Sequence, residues 1–126
     1  MKRVIRTDAA PAAVGPYSQA VEVDGWIWIS GQIPLDPASG EIVAGGIEAA
    51  TRRTLDNLKA VVEAGGASLQ DVVRVTVYLT DLGNFAAMNA IYAEYFTDEP
   101  PSRACVEVSA LPKGVEVEMD AVVRPG

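Results

Sequence analysis

Residues 47–66 read IEAATRRTLDNLKAVVEAGG, and residues 71–80 read DVVRVTVYLT. The change of period between them decides the fold class. In the first stretch Ile47, Ala50, Thr51, Thr54, Leu55, Leu58, Val61 and Val62 recur at i, i+3 and i+4, which predicts one apolar stripe along a helix. Glu48 suits the positive end of the helix dipole. Gly65-Gly66 ends the helix, because glycine enters the left-handed C-terminal conformation without a Cβ clash. In the second stretch Val73, Val75, Val77 and Leu79 alternate with Val72, Arg74, Thr76 and Tyr78, the two-residue period of a strand. A helix handing over to a strand within a few residues points to an α/β layer.

Working outward, VEVDGWIWIS (21–30) predicts a hairpin turned at Asp24-Gly25. PLDPASGEIVAGG (34–46) carries the Pro, Gly and Asp of a loop, with a turn around Ser39-Gly40. NFAAMNAIYAEYF (84–96) predicts a second helix with Asn84 as N-cap. Phe85, Met88, Tyr92 and Tyr95 run along one side of it and read as core packing. Pro100-Pro101 cannot continue that helix. ACVEVSAL (104–111) and VEVEMDAVV (115–123) add two strands. The predicted order is strand, hairpin, helix, strand, helix, strand, strand. That is one domain over 1–126, a single mixed sheet with two helices on one face. Two helices cover only one face, yet Trp26 and Trp28 lie opposite Ile27 and Ile29 in the same strand. A strand apolar on both sides wants cover on both, most economically from another copy of the chain.

The composition removes whole classes of chemistry. The chain has 126 residues, enough for one core. It holds one cysteine and no histidine, which excludes an internal disulfide, Ser-His-Asp and Cys-His nucleophilic sites, and histidine- or cysteine-built zinc sites. The net charge of −7 disfavours phosphate backbones, and Lys2-Arg3 and Arg52-Arg53 are isolated pairs rather than a basic stripe. The N-terminus lacks an apolar signal core and no apolar run reaches membrane-spanning length, so a cytoplasmic protein is expected.

The candidate chemistry lies near the C-terminus. Alternation puts Arg103, Cys105 and Glu107 on one face, opposite Val106 and Val108, and puts Glu116, Glu118 and Asp120 on one face of the last strand. Such rows on an uncovered sheet face make either an interface ion-pair network or a small pocket. In a pocket, an arginine fork suits a carboxylate, and a glutamate holds and polarises a water. A free cysteine without a basic partner reads as a small buried hydrophobe. In GPYSQA (15–20), Gly15-Pro16 sets a turn before Tyr17, which reads as a strand aromatic. Ser30-Gly31 ends a strand where glycine either admits a ligand or permits a bend.

Taken together, GPYSQA, SGQIPLDPASGEIV, TLDNLKAVVEAGGASLQDVV, VTVYLTDLGNFAAMNAIY and PSRACVEVSALPKGVEVEMDAV, in that order and spacing, resemble the RidA (YjgF) family of imine deaminases over nearly the whole chain. The resemblance implies a chorismate-mutase-like α/β fold assembled as a homotrimer, with sites in the clefts between subunits and no cofactor. It implies hydrolysis of reactive 2-enamine/2-imino acids to 2-oxo acids and ammonia. Arg103 matches the arginine that clamps the substrate carboxylate, and Glu118 the glutamate that holds the attacking water. Tyr17, Ser30, Gly31, Asn89 and Cys105 match substrate-binding positions. One departure is the segment TDEPPS (97–102), shorter than in well-known members, which bears on substrate preference. The rival expectations are a ligand-binding or chaperone-like member of the same fold, an RNA-cleaving translation inhibitor, and a deaminase dedicated to one larger substrate.

Overall fold

The computed structural model describes residues 1–126. Its strands are β1 (Arg3–Ile5), β2 (Ala20–Val23), β3 (Trp26–Gln32), β4 (Val72–Leu79), β5 (Ser102–Glu107) and β6 (Val117–Val123). Its helices are α1 (Gly46–Ala64) and α2 (Phe85–Tyr95), the two predicted from periodicity. The β2–β3 hairpin turns at Asp24 (φ 51°) and Gly25 (φ 82°), the pair of positive dihedrals that an Asp-Gly turn supplies. Helix α1 stops where Gly66 takes φ +84°. There Gly66 N donates to Glu63 O, and Ala67 N to Val62 O, which satisfies carbonyls the helix leaves open.

Helix α2 is capped differently from the sequence expectation. A short 3-10 turn, Leu82–Asn84, runs straight into it, and Asn84 makes no side-chain cap. The capping duty moves upstream to Asp81, whose Oδ1 accepts from Gly83 N at 2.8 Å. Asn84 Nδ2 instead donates to Glu116 Oε2 at 3.3 Å. The β5 and β6 strands are also shorter than their apolar-looking segments, and Glu116 lies outside β6.

The six strands form one sheet in the order β1-β2-β3-β6-β4-β5. All neighbours are antiparallel except β4 and β5, which are parallel, so α2 supplies the crossover between them. One face packs under both helices. Ile27, Val75, Val77, Leu79, Val117 and Met119 from the sheet are fully buried against Leu55, Leu58, Val61 and Val62 of α1 and Met88 of α2. The other face is open, with Trp26 38% and Trp28 52% exposed while Ile27 and Ile29 are buried, the alternation the sequence predicts. No helix is long and apolar enough to cross a membrane.

Register sorts the two ionisable rows, and here the sequence expectation needs correction. Arg103 and Cys105 pair with Val75 and Val77, so they point to the helix side, beside α2. Glu118 pairs with Tyr78 and Asp120 with Thr76, so they point to the open side. The rows lie on opposite faces of the sheet, because paired residues share a face and the two registers match the Arg103 row to the buried side of β4 and the Glu118 row to its other side.

Two buried amides fix the loops around the open-side row. Asn57 of α1, fully buried, donates to Ile33 O and Leu35 O, each at 3.0 Å, and so ties the turn after β3 to the helix. Gln19 accepts from Thr7 N at 2.8 Å and donates to Thr7 O at 3.0 Å and Pro11 O at 2.8 Å, holding the N-terminal segment. Either amide replaced by an apolar group would strand buried carbonyls, each costing about 1–3 kcal/mol.

Candidate functional site

The predicted residues fall into two groups within one chain. On the helix side stand Arg103, Asn89 and Cys105. Phe85, Asn89 and Tyr92 recur at i, i+4 and i+7 on α2, one face of the helix, and Arg103 of β5 lies against that face. Arg103 Nη1 donates to Asn89 Oδ1 at 2.7 Å. The guanidinium carbon lies 4.7 Å from the Tyr92 ring centroid and 5.5 Å from that of Phe85. The two ion pairs of the structure are Arg3–Glu22 and Arg52–Glu94, so Arg103 is half-buried without a carboxylate of its own. It opens onto a shallow cavity of about 420 Å³ whose walls include Ala93, Phe96, Pro100 and Pro101. Burial pushes the Cys105 thiol up, against a weaker pull downward from Arg103, so it stays protonated at neutral pH.

On the open side stand Glu118, Gly31, Ser30 and Tyr17. They line a cavity of about 590 Å³ together with Gln19, Gln32, Pro112 and Lys113. Ser30 Oγ donates to Ser18 O at 2.6 Å and Ser30 N donates to Gln19 O at 2.9 Å, so the hydroxyl fastens the Tyr17 segment to β3. Tyr17 is 54% exposed, which removes it from the core that its strand-like context suggests. Burial raises the Glu118 carboxyl above the ordinary value, and the charge of Asp120 raises it further. Asp120 Oδ2 accepts from Tyr78 Oη at 2.9 Å.

The ambiguity at Gly31 resolves sterically. A Cβ there would fall into the Glu118 carboxylate, 2.7 Å from its Cδ. The glycine exists so that the carboxylate can lie flat on the β3 backbone, next to the register shift between Ile29 and Gln32. Gly31→Ala should therefore leave the fold intact while displacing Glu118. If Glu118 acts on a water, about a 100-fold loss of turnover is expected, the scale of a 1 Å misplacement. Far-UV circular dichroism and steady-state rates on the purified variant check this; normal turnover would show that the Glu118 position is not critical.

Sequence reasoning missed Phe85 and Tyr92, which read as core. The signal was their spacing around Asn89, visible only once Arg103 is known to face α2. Lys113 was missed as well. It lies in the turn Pro112–Gly114 with φ 58°, and nothing in its local sequence marks it.

A ligand carboxylate on Arg103 and a water on Glu118 would lie on opposite sides of one chain's sheet.

Known proteins share this arrangement of elements along the full chain. Residues 7–124 match the family model described as Endoribonuclease L-PSP. A RutC family protein of Pyrococcus abyssi is 55% identical over 121 residues, 96% of this chain and 95% of its own. The 2-iminobutanoate/2-iminopropanoate deaminase of Homo sapiens is 46% identical over 126 residues, 100% of this chain and 92% of its own. The crystal structure of E. coli TdcF with bound serine superposes with a TM-score of 0.94 at 40% identity, covering 98% of this chain and 99% of the other. A match this even, from the N-terminal segment that carries Tyr17 to the last strand that carries Glu118, means that the chain belongs to the RidA (YjgF) family.

Proposed function

We propose that the protein hydrolyses 2-enamine/2-imino acids to 2-oxo acids and ammonia, in sites formed between the subunits of a homotrimer. The observation that carries this reading is Arg103, a half-buried guanidinium held by a neutral asparagine oxygen and two aromatic rings, with no acidic partner. Such a group is prepared for an anion that arrives from outside, and its planar fork fits a carboxylate. Serine bound to TdcF is a small molecule with that group. The human relative acts on 2-imino acids, as its name states.

In this reading Arg103, with Asn89 and Cys105, contributes one side of the cleft. Glu118, Gly31, Ser30 and Tyr17 of a neighbouring copy contribute the other. The open sheet face with its exposed tryptophans supplies the contact, and a specific contact of this kind should bury on the order of 1,000 Å² or more. The substrate enters as the protonated imine, already electrophilic at C2. Glu118 accepts a proton from water as the water oxygen bonds to C2 and the C–N π pair moves to nitrogen. The same carboxyl then returns the proton to nitrogen. The C–N bond breaks, the hydroxyl oxygen forms the carbonyl, and its proton leaves with ammonia as ammonium. Fixed placement of the carboxylate and water supplies the rate. A raised Glu118 affinity for protons suits a group that must both take and return one.

The test is release of ammonia and 2-oxo acid from freshly generated imines, with side chains varied from alanine-derived to aromatic. Acceleration over the buffer rate is expected; hydrolysis at the buffer rate for every side chain would overturn the enzyme reading. A ligand-binding member of the fold is the second reading, favoured by the serine seen in TdcF. It predicts saturable binding of 2-oxo or amino acids with no acceleration. RNA cleavage fits poorly with a net charge of −7.

A further inference from the structure

We infer that Tyr92, backed by Phe96 and assisted by Phe85, is the positioning residue that sets the plane of the Arg103 guanidinium and so gives the site its selectivity for carboxylates. The inference rests on the clamp role proposed for Arg103.

An arginine side chain has four rotatable bonds, and a guanidinium that swings freely must be ordered each time a ligand binds. Ordering a flexible side chain opposes association. Here the ordering is done in advance by two different constraints. The hydrogen bond from Nη1 to Asn89 Oδ1 at 2.7 Å fixes one corner of the fork. It leaves the group free to pivot about that corner. The Tyr92 ring, 4.7 Å from the guanidinium carbon, removes the pivot, because the cation is attracted to the ring face. Phe85, at 5.5 Å, adds a second, weaker ring contact.

The platform is itself rigid. Tyr92 is buried, and its ring packs on Phe96 with centroids 4.7 Å apart and planes tilted by 39°. Its hydroxyl is buried and has no hydrogen-bond partner. That hydroxyl costs stability rather than adding to it, so the ring accounts for what the residue contributes at this place. Burial also pushes the phenol up to about 12, with Arg103 pulling weakly the other way, so the ring stays neutral across the working range. A neutral ring leaves the guanidinium charge uncancelled. An acidic residue in its place would orient the arginine equally well but would occupy the fork and repel the ligand.

Tyr92 meets the guanidinium through its ring face, 4.7 Å away, and acts on the ligand through Arg103, so it is a positioning residue and not a catalytic one. Its loss should be felt in how well the site tells a carboxylate from a neutral isostere, a property that packing alone does not control. The measurement is the ratio of dissociation constants for 2-oxobutanoate and its methyl ester, read by calorimetry on folded, assembled protein. Wild type should prefer the acid. Tyr92→Phe, which keeps the ring and deletes the unpaired hydroxyl, should keep that preference and melt no lower than wild type. Tyr92→Leu should reduce the preference about 3- to 30-fold, the worth of a partly desolvated cation–ring contact. If Tyr92→Leu binds acid and ester in the wild-type ratio, the inference is overturned. Should Tyr92→Leu fail to fold, Phe85→Leu decides, since Phe85 is 38% exposed and its loss does not empty the core. A smaller but measurable drop in the ratio supports the platform, and no change overturns it. A protein that binds 2-oxobutanoate selectively but hydrolyses no imine would sink the hydrolase reading while leaving this inference standing. A wild type with no preference for the acid would sink the clamp and the platform together.

Discussion

Glu118→Gln should reduce imine hydrolysis by about 10²- to 10⁴-fold, the usual contribution of a positioned general base, while 2-oxo acids bind nearly as well as to wild type. Glutamine keeps the shape that lies over Gly31 and keeps one acceptor oxygen, but it cannot take a proton from water. The fold should tolerate the change. Burial and the nearby Asp120 raise the Glu118 carboxyl, so its ionised form is disfavoured in the native state. For an acid whose affinity for protons is raised on folding, the charge detracts from stability at pH values above that range, and a neutral isostere relieves it. The variant is expected to melt no lower than wild type at neutral pH, so lost activity cannot be blamed on unfolding. The pH profile gives an independent check. In the proposed role the ionised carboxylate is the active form, so activity should be present above the Glu118 range and fall as pH drops through it. The acid limb should lie above the ordinary glutamate value of 4.5. Asp120→Asn removes the neighbouring negative charge and should move that limb to lower pH. Asp120 and the Tyr78 hydroxyl bonded to it face Glu118 from the sheet, and Lys113 lines the same cavity. Glu118→Gln with normal turnover, or an acid limb indifferent to Asp120→Asn, would assign the base to another group.

What the sequence made legible followed from short-range rules. Period and glycine placement located α1, the hairpin and β4 to within a few residues, because each is decided by side chains close along the chain. The rows at 103–107 and 116–120 were also visible, since alternation in a strand is local. Their relation was not. Whether Arg103 and Glu118 share a face depends on β4, which lies between β5 and β6 and pairs parallel with one and antiparallel with the other. No local pattern encodes that pairing. Gly31 is a similar case, because its steric reason is a carboxylate nearly ninety residues away in sequence. Tyr92 looked like core and is core, with 5% exposure. Only the strand that brings Arg103 across its ring gives it a second role. Phe85 and Lys113 escaped for the same reason, since what they face comes from other parts of the chain.

Arg103→Ala should lose about 30- to several-thousand-fold in turnover efficiency, which corresponds to roughly 2–5 kcal/mol for truncating one side of a desolvated charge pair. Arg103→Lys should fail almost as badly. Lysine keeps the charge, but it offers no planar fork to a carboxylate and no flat face to the Tyr92 ring. A lysine variant of near wild-type efficiency would mean that charge alone is needed. The stronger experiment combines this loss with that of Glu118→Gln. Within one chain the two residues point to opposite sides of the sheet. If each site joins Arg103 of one subunit to Glu118 of the next, two dead proteins should make a live one. When Arg103→Ala and Glu118→Gln chains are co-expressed in equal amounts, a cleft is intact only where the arginine comes from the Glu118→Gln chain and the glutamate from the Arg103→Ala chain. Random assembly into a closed ring of like interfaces makes about a quarter of the clefts intact, so about a quarter of wild-type activity should return. Native mass spectrometry confirms that mixed trimers have formed, and each variant expressed alone gives the background. A site contained in a single chain predicts no recovery at any mixing ratio, because every chain in the mixture lacks one of the two groups. Mixed trimers that remain inactive would therefore reject the shared cleft, and a monomer mass for wild type by light scattering would reject the assembly itself.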